Sequence, residues 1–212
     1  MTAAAPRAAH PAVIFDVGNV LIRWDPALVY PDLSPEALAA FFAEVDFHAW
    51  NLEQDRGRDW DAAVAAASAR HPHRAELIAR FHHRWHDSVP GEVPGAPAIL
   101  RALHAADVPL FAITNFSAAK WAETQDRFDV LRLFRDVTVS AHEGLVKPDP
   151  AIWGVCLSRN GLPAAGTLFI DDSPPNVAAA AALGLDALHF TDAPALADAL
   201  RARGLPVPET LA

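Results

Sequence analysis

Short apolar runs, each followed by a helical pattern, organise most of this chain. Ala12-Val13-Ile14-Phe15 is unbroken by polar residues and ends in Asp16, after which Val17-Gly18-Asn19 turns the chain away. A run of that length, flanked by Pro11 and a turn, predicts a buried parallel strand. The same unit recurs from Pro109 onward. Strands are expected over 109–113, 137–140, 167–170 and 187–190, and helices over 96–106, 117–128, 149–160, 175–183 and 194–203. Alternation of this kind predicts a parallel sheet joined by right-handed crossovers.

The pattern changes between the first strand and that alternation. Ser34-Pro35-Glu36 sets an N-cap serine before a first-position proline, a helix start signal. Leu38, Phe41, Phe42 and Val45 follow at helical spacing. Further helices are expected over 60–69 and 74–85, preceded by a linker carrying His48, Trp50, Asp55, Arg56 and Gly57. Pro90, Gly91, Pro94, Gly95 and Pro97 then punctuate the chain. The organisation expected is a Rossmann-like α/β core from residues 1–26 and 91–212, with residues 27–90 inserted as a helical cap over the strand ends.

Composition narrows the function classes. With 212 residues, 52% of them hydrophobic and 20% charged, the chain is long and apolar enough for a sizeable core and argues against disorder. A net charge of −9 disfavours nucleic acid or an anionic membrane as partner. It also means that a phosphorylated substrate needs positive charge supplied locally. Cys156, the single cysteine, excludes an internal disulfide and fits a reducing compartment. Residues 1–10 hold no apolar segment of signal-peptide length and read as a frayed tail, so a cytoplasmic location is expected. Monomer and homodimer both remain compatible with the chain.

Polar residues collect where the predicted strands end. Asp16 follows the first, Thr114-Asn115 the second and Asp171-Asp172 the fourth, with Lys147-Pro148 between the latter two. Parallel strands bring such ends to one sheet edge, where open α/β sheets bind ligands. Carboxylates with a hydroxyl and an ammonium suit phosphoryl transfer with Mg²⁺. The carboxylates hold a hard cation, cation and ammonium neutralise phosphate, and one carboxylate attacks phosphorus. Adjacent carboxylates close to an ionised Asp16 would raise one another's pKa unless a cation lay among them.

Taken in order, Phe15-Asp16-Val17-Gly18-Asn19-Val20-Leu21, Thr114-Asn115, Lys147-Pro148 and Asp171-Asp172 resemble the four motifs of the haloacid dehalogenase superfamily. The likeness spans nearly the whole chain. Within the superfamily it is nearest to sugar-phosphate phosphatases such as α-D-glucose-1-phosphate phosphatase, which share the Asp-x-Gly-Asn-Val turn and a cap element matched by Asp55-Arg56-Gly57. The resemblance implies that Asp16 is the nucleophile and passes through an aspartyl-phosphate. It implies that Asp16, Asp172 and the Gly18 carbonyl bind Mg²⁺, with Asp171 either a ligand or a support for one. Thr114 and the Asn115 amide would hold phosphate oxygens, and Lys147 would neutralise charge between nucleophile and phosphate. Arg56 is a candidate forked donor to substrate. Trp24, with Trp50 and Trp60, is a candidate surface for a sugar face, and core packing is the better account of each.

One position departs from the pattern. Related phosphatases place a second aspartate two residues after the nucleophile as general acid and base, and here that residue is Gly18. Proton transfer of this sort is worth about 10²–10⁴-fold. Asp25 is the nearest replacement, although a turn or cap role before Pro26 explains it as well. A dehalogenase needs no such acid, because halide leaves without a proton, and a silent binding domain needs none either. The pair Asp171-Asp172 favours the metal-dependent phosphatase over both. The histidines between His71 and His86 read as a solvated basic face, with His82 and His86 the pair at ligand-like i, i+4 spacing.

Overall fold

The computed structural model describes residues 10–210, so all of the expected N-terminal tail but His10 lies outside the described residues. Five strands form one wholly parallel sheet in the order β3-β2-β1-β4-β5. They are β1 (Val13–Phe15), β2 (Leu110–Thr114), β3 (Asp136–Val139), β4 (Leu168–Asp171) and β5 (Asp186–His189). Ile14 of β1 pairs Phe111 on one side and Phe169 on the other. The chain lays β2 and β3 to one side of β1 before crossing to β4, and that reversal makes the carboxyl end of β1 the switch point where such sheets bind ligands. Every residue of β1, β2 and β4 is buried, as expected of strands covered on both faces.

Helices α1 (Pro35–Val45), α2 (Phe47–Asp55), α3 (Trp60–Arg70) and α4 (Ala75–His83) lie between β1 and α5 (Ala96–Ala105). The later sheet crossovers carry α6 (Ala118–Arg127), α7 (Ser140–Glu143), α8 (Pro150–Asn160) and α9 (Pro174–Ala182), and α10 (Ala193–Ala202) follows β5. Local chemistry sets the starts. Ser34, Asp59, Asp149 and Asp192 each accept a backbone N–H from the first turn of the helix that follows, satisfying a donor the helix cannot pair internally. The residues expected to form a linker instead form α2. Asp46 takes a left-handed conformation (φ 49°) that ends α1 and restarts the chain as a second helix. The cause is packing: Phe42 and Phe47 stack at 4.1 Å across the junction, and Phe47, Trp50 and Trp60 close on Phe81. Burial of large aromatic surface outweighs a weak local helix signal.

One apolar cluster runs from Val13 and Phe15 of β1 through Phe41, Trp50 and Phe81 of the inserted helices, so sheet and insertion share a core. A second lies on the other face of the sheet, around Ile14, Trp153 and Phe169. Among the described residues, no helix is long and apolar enough to cross a membrane.

Candidate active site

Four loops at the carboxyl edge of the sheet build the site. Asp16 leaves β1 and is 7% exposed. Its Oδ1 accepts the Val17 N–H at 2.7 Å and lies 2.8 Å from Lys147 Nζ. The same ammonium donates to Asp171 Oδ2 at 2.7 Å. Burial works against this buried charge, but the two carboxylates outweigh it and raise the Lys147 pKa. The backbone of Lys147 is clamped by the Asn115 side chain, which accepts the Lys147 N–H at 2.8 Å and donates to its carbonyl at 3.0 Å. Lys147 lies in the turn ahead of α8, which Asp149 caps and which begins at Pro150.

Asp171 and Asp172 differ sharply despite adjacency. Asp171 is fully buried, and its oxygens take the Ser173 N–H, the Asn176 amide and the Lys147 ammonium. Asp172 is half-buried and lines the cavity. Oxygens of Asp16, Asp171 and Asp172 all fall within 4.8 Å of one another. Burial is the main force raising Asp16, to about 7, with Asp171 and Asp172 adding to it and Lys147 opposing. Asp172 is raised by burial and by Asp171. An all-oxygen, anion-rich set of this kind fits a hard divalent cation, which would relieve that mutual repulsion. Asp16 and Asp172 have room for such an ion, whereas Asp171 already spends both oxygens.

The carboxylates face a cavity of about 280 Å³. Gly18, Trp24, Asn115 and Lys147 line it with Asp16 and Asp172. Thr114 ends β2 at 1% exposure and is not among the lining residues. Arg56 is not brought to the cavity either. Its guanidinium is about half exposed and lies 2.7 Å from Glu53 Oε1, because α2 ends one residue earlier and aims Asp55 inward in its place. Trp50 and Trp60 are packed in the core, their indole N–H groups donating to the Ala63 carbonyl and Ser117 Oγ. Trp85, unremarked by sequence reasoning, lines the wall with Leu52 and Phe116. Asp25 caps the short turn Pro26–Val29 through the Ala27 N–H. His82 and His86 fall on different elements, since α4 stops at His83, so their helical spacing is lost.

The profile of haloacid dehalogenase-like hydrolases matches residues 13–190. The chain belongs to that family. A sesquiterpene phosphatase, AstK of Aspergillus oryzae, is 29% identical to it over 90% of this chain and 94% of its own length. Among solved structures, a haloacid dehalogenase family enzyme of Bacteroides thetaiotaomicron in complex with magnesium and inorganic phosphate superposes with a TM-score of 0.64. That match has 17% identity and covers 87% of this chain and 96% of the other. A dehalogenase superposes equally well, with TM-score 0.65, 17% identity and coverage of 87% and 86%. Family fold alone therefore does not choose between the two chemistries, and the choice rests on side chains.

Asp55 is the site residue that this family likeness flagged only as part of a cap motif. It lines the cavity, and burial pushes its carboxyl up to about 7 against the opposing pull of the Ser117 N–H. Its sequence neighbourhood is polar and helical, so no apolar run or strand end marks it. The signal that could have found it is Gly57 two residues on, where φ is +103° and an added Cβ would sit 2.9 Å from the Ala141 carbonyl oxygen. A glycine required by close approach of two segments marks the place where the insertion meets the sheet edge.

Proposed function

We infer that this protein is a Mg²⁺-dependent phosphatase acting on the phosphate monoester of a small alcohol, with residues 27–90 serving as a cap over the site. The observation that carries this reading is the buried cluster of Asp16, Lys147 and Asp171 beside the accessible Asp172. A dehalogenase has no use for that many carboxylates around its nucleophile. Asp16, Asp172 and the Gly18 carbonyl are the groups to hold the cation, which when bound supplies charge neutralisation at the phosphoryl oxygens.

This chain's own groups do the remaining work. Asp16 attacks phosphorus, the ester P–O bond breaks, and an aspartyl-phosphate forms. Water then attacks that phosphorus, releasing phosphate and restoring the Asp16 carboxylate. Lys147 and the Asn115 backbone, in the loop after β2, hold phosphate oxygens, and the buried Lys147 charge offsets the protein's overall repulsion of an anion. Asp171 orients Lys147 rather than meeting substrate.

Family resemblance suggests a sugar phosphate, but the wall of Trp24, Leu52, Trp85 and Phe116 favours a more apolar alcohol, and AstK is named as a sesquiterpene phosphatase. The deciding assay measures phosphate release from glucose 1-phosphate and farnesyl phosphate, with Mg²⁺ and with EDTA, in wild type and Asp16→Asn. Mg²⁺-dependent release that Asp16→Asn abolishes is the expected result. Chloride release from 2-chloropropionate in EDTA would replace this reading with dehalogenation.

A further inference from the structure

An alkoxide leaves phosphorus readily only if its oxygen receives a proton, and water attacks an acyl phosphate readily only if a base takes its proton. On the phosphatase reading above, this site needs a group able to do both. The titratable residues lining the cavity are Asp16, His48, Asp55, Lys147 and Asp172. Asp16 is the nucleophile and Asp172 the cation ligand in that reading. The Lys147 ammonium is held between two carboxylates at 2.8 and 2.7 Å. His48 is exposed, its ring edge-on to Phe42 and Phe47. The nucleophile's own loop supplies no acid, since Gly18 has no side chain. An added Cβ there would meet nothing within 4 Å, which leaves room for a group reaching in from elsewhere.

We propose that Asp55, carried by the inserted helices, is the general acid and base of this site. Its place is fixed from the sheet edge and not only by its own helix. The carboxylate accepts the Ser117 N–H and the Asn51 amide, the latter at 3.1 Å. Its carbonyl accepts from Ser140 Oγ at 2.5 Å, and that same hydroxyl oxygen accepts the Phe116 N–H at 2.9 Å. Trp60 Nε1 donates to Ser117 Oγ at 2.9 Å, tying the start of α3 to the same loop. Gly57 lets the intervening turn seat against the Ala141 carbonyl. The loop following β2 and the first turn of α7 thus grip both flanks of Asp55, and its acidity near neutrality (about 7) is set mainly by burial. It shares the cavity with Asp16, Asp172 and Lys147 of the sheet edge and with His48 of its own helix; Glu143 of α7 is engaged by Arg159.

The steps balance as follows. As Asp16 attacks and the ester P–O bond breaks, the Asp55 carboxyl gives its proton to the departing oxygen, yielding the alcohol. The Asp55 carboxylate then accepts a proton from water as that oxygen attacks phosphorus. The P–O bond to Asp16 breaks, phosphate leaves, and Asp55 is protonated again.

The test compares wild type, Asp55→Asn and His48→Gln on 4-nitrophenyl phosphate, whose anion leaves unaided, and on octyl phosphate, whose alkoxide does not. Asp55→Asn is expected to slow octyl phosphate by about 10²–10⁴-fold while still releasing nitrophenolate in a burst of one per enzyme, with phosphoryl-Asp16 accumulating by mass spectrometry. In wild type, turnover of octyl phosphate should fall as pH rises through about 7, a limb absent from Asp55→Asn. Because both esters are measured on one preparation, the ratio of rates is independent of the fraction folded. Should Asp55→Asn not fold at all, Asp55→Glu, which keeps the acid, must retain the alkaline limb. Equal losses of first-turnover rate on both esters, or unimpaired octyl phosphate turnover, would overturn the assignment, as would a selective first-turnover loss in His48→Gln in its place. No turnover of any phosphate ester by wild type would instead remove the phosphatase reading itself.

Discussion

Removing the buried ammonium is the sharpest perturbation the structure offers. Lys147→Met keeps an unbranched side chain of similar length in a pocket where Lys147 is 3% exposed, but leaves Asp16 and Asp171 without the cation that lies between them. Asp171 retains the Ser173 N–H and the Asn176 amide, whereas the Asp16 carboxylate retains the Val17 N–H. Breaking a buried ion pair by deleting one member typically costs about 3–5 kcal/mol. The pH dependence follows from the direction of the shift. In wild type the Asp16 carboxyl is already raised to about 7, and without the ammonium it rises further. A raised carboxyl contributes stability at low pH that is lost as pH climbs through the folded-state pKa. Below pH 7 both proteins hold the proton and the difference between them is smallest. Above it the difference grows by about 1.4 kcal/mol per pH unit until the variant's own carboxyl ionises. Urea denaturation in EDTA at pH 6 and pH 9, with matching slopes, reads this directly. A loss at pH 9 exceeding that at pH 6 by about 2–3 kcal/mol is expected. A loss below about 1 kcal/mol at both values, or one that does not change with pH, would refute the electrostatic account of the site.

Two further outcomes test the metal and the seating of the insertion. Mg²⁺ at about 100 times its dissociation constant should stabilise wild type by about 2.7 kcal/mol. Asp172→Asn should lose most of that rise in thermal midpoint while folding normally, and an undiminished rise would place the cation elsewhere. Gly57→Ala should destabilise by about 1–3 kcal/mol, since the position combines φ of +103° with an approach of 2.9 Å to the Ala141 carbonyl oxygen. Denaturant midpoints check it, and a change too small to measure would mean that the turn relaxes freely.

Much of the frame was legible in one dimension. Each strand of the sheet falls within a residue or two of its expected span, and for β1, β2 and β4 the reason is that strands covered on both faces must be short, continuous and apolar. The first helix start of the insertion was equally readable, because Ser34 advertises its cap ahead of Pro35. The motif residues after β1, β2 and β4 had to reach one edge once the sheet was parallel. The linker expected around Trp50 failed for the opposite reason: α2 is held through Phe47 and Trp50 by Phe81 of α4, a partner that no local window around α2 contains.

What the amino-acid sequence determined by itself is therefore the parallel α/β frame and the gathering of Asp16, Lys147 and the acidic pair at its carboxyl edge. Only the tertiary structure decided how those groups divide the work. Periodicity reports whether a residue is buried; it carries no information on what a buried polar atom meets. That Asp171 is spent on Ser173, Asn176 and Lys147 while Asp172 opens to the cavity is a matter of long-range hydrogen bonding. That Asp55 turns inward and Arg56 outward depends on where α2 ends against the loops of the sheet, and docking of that kind is settled by packing between distant segments.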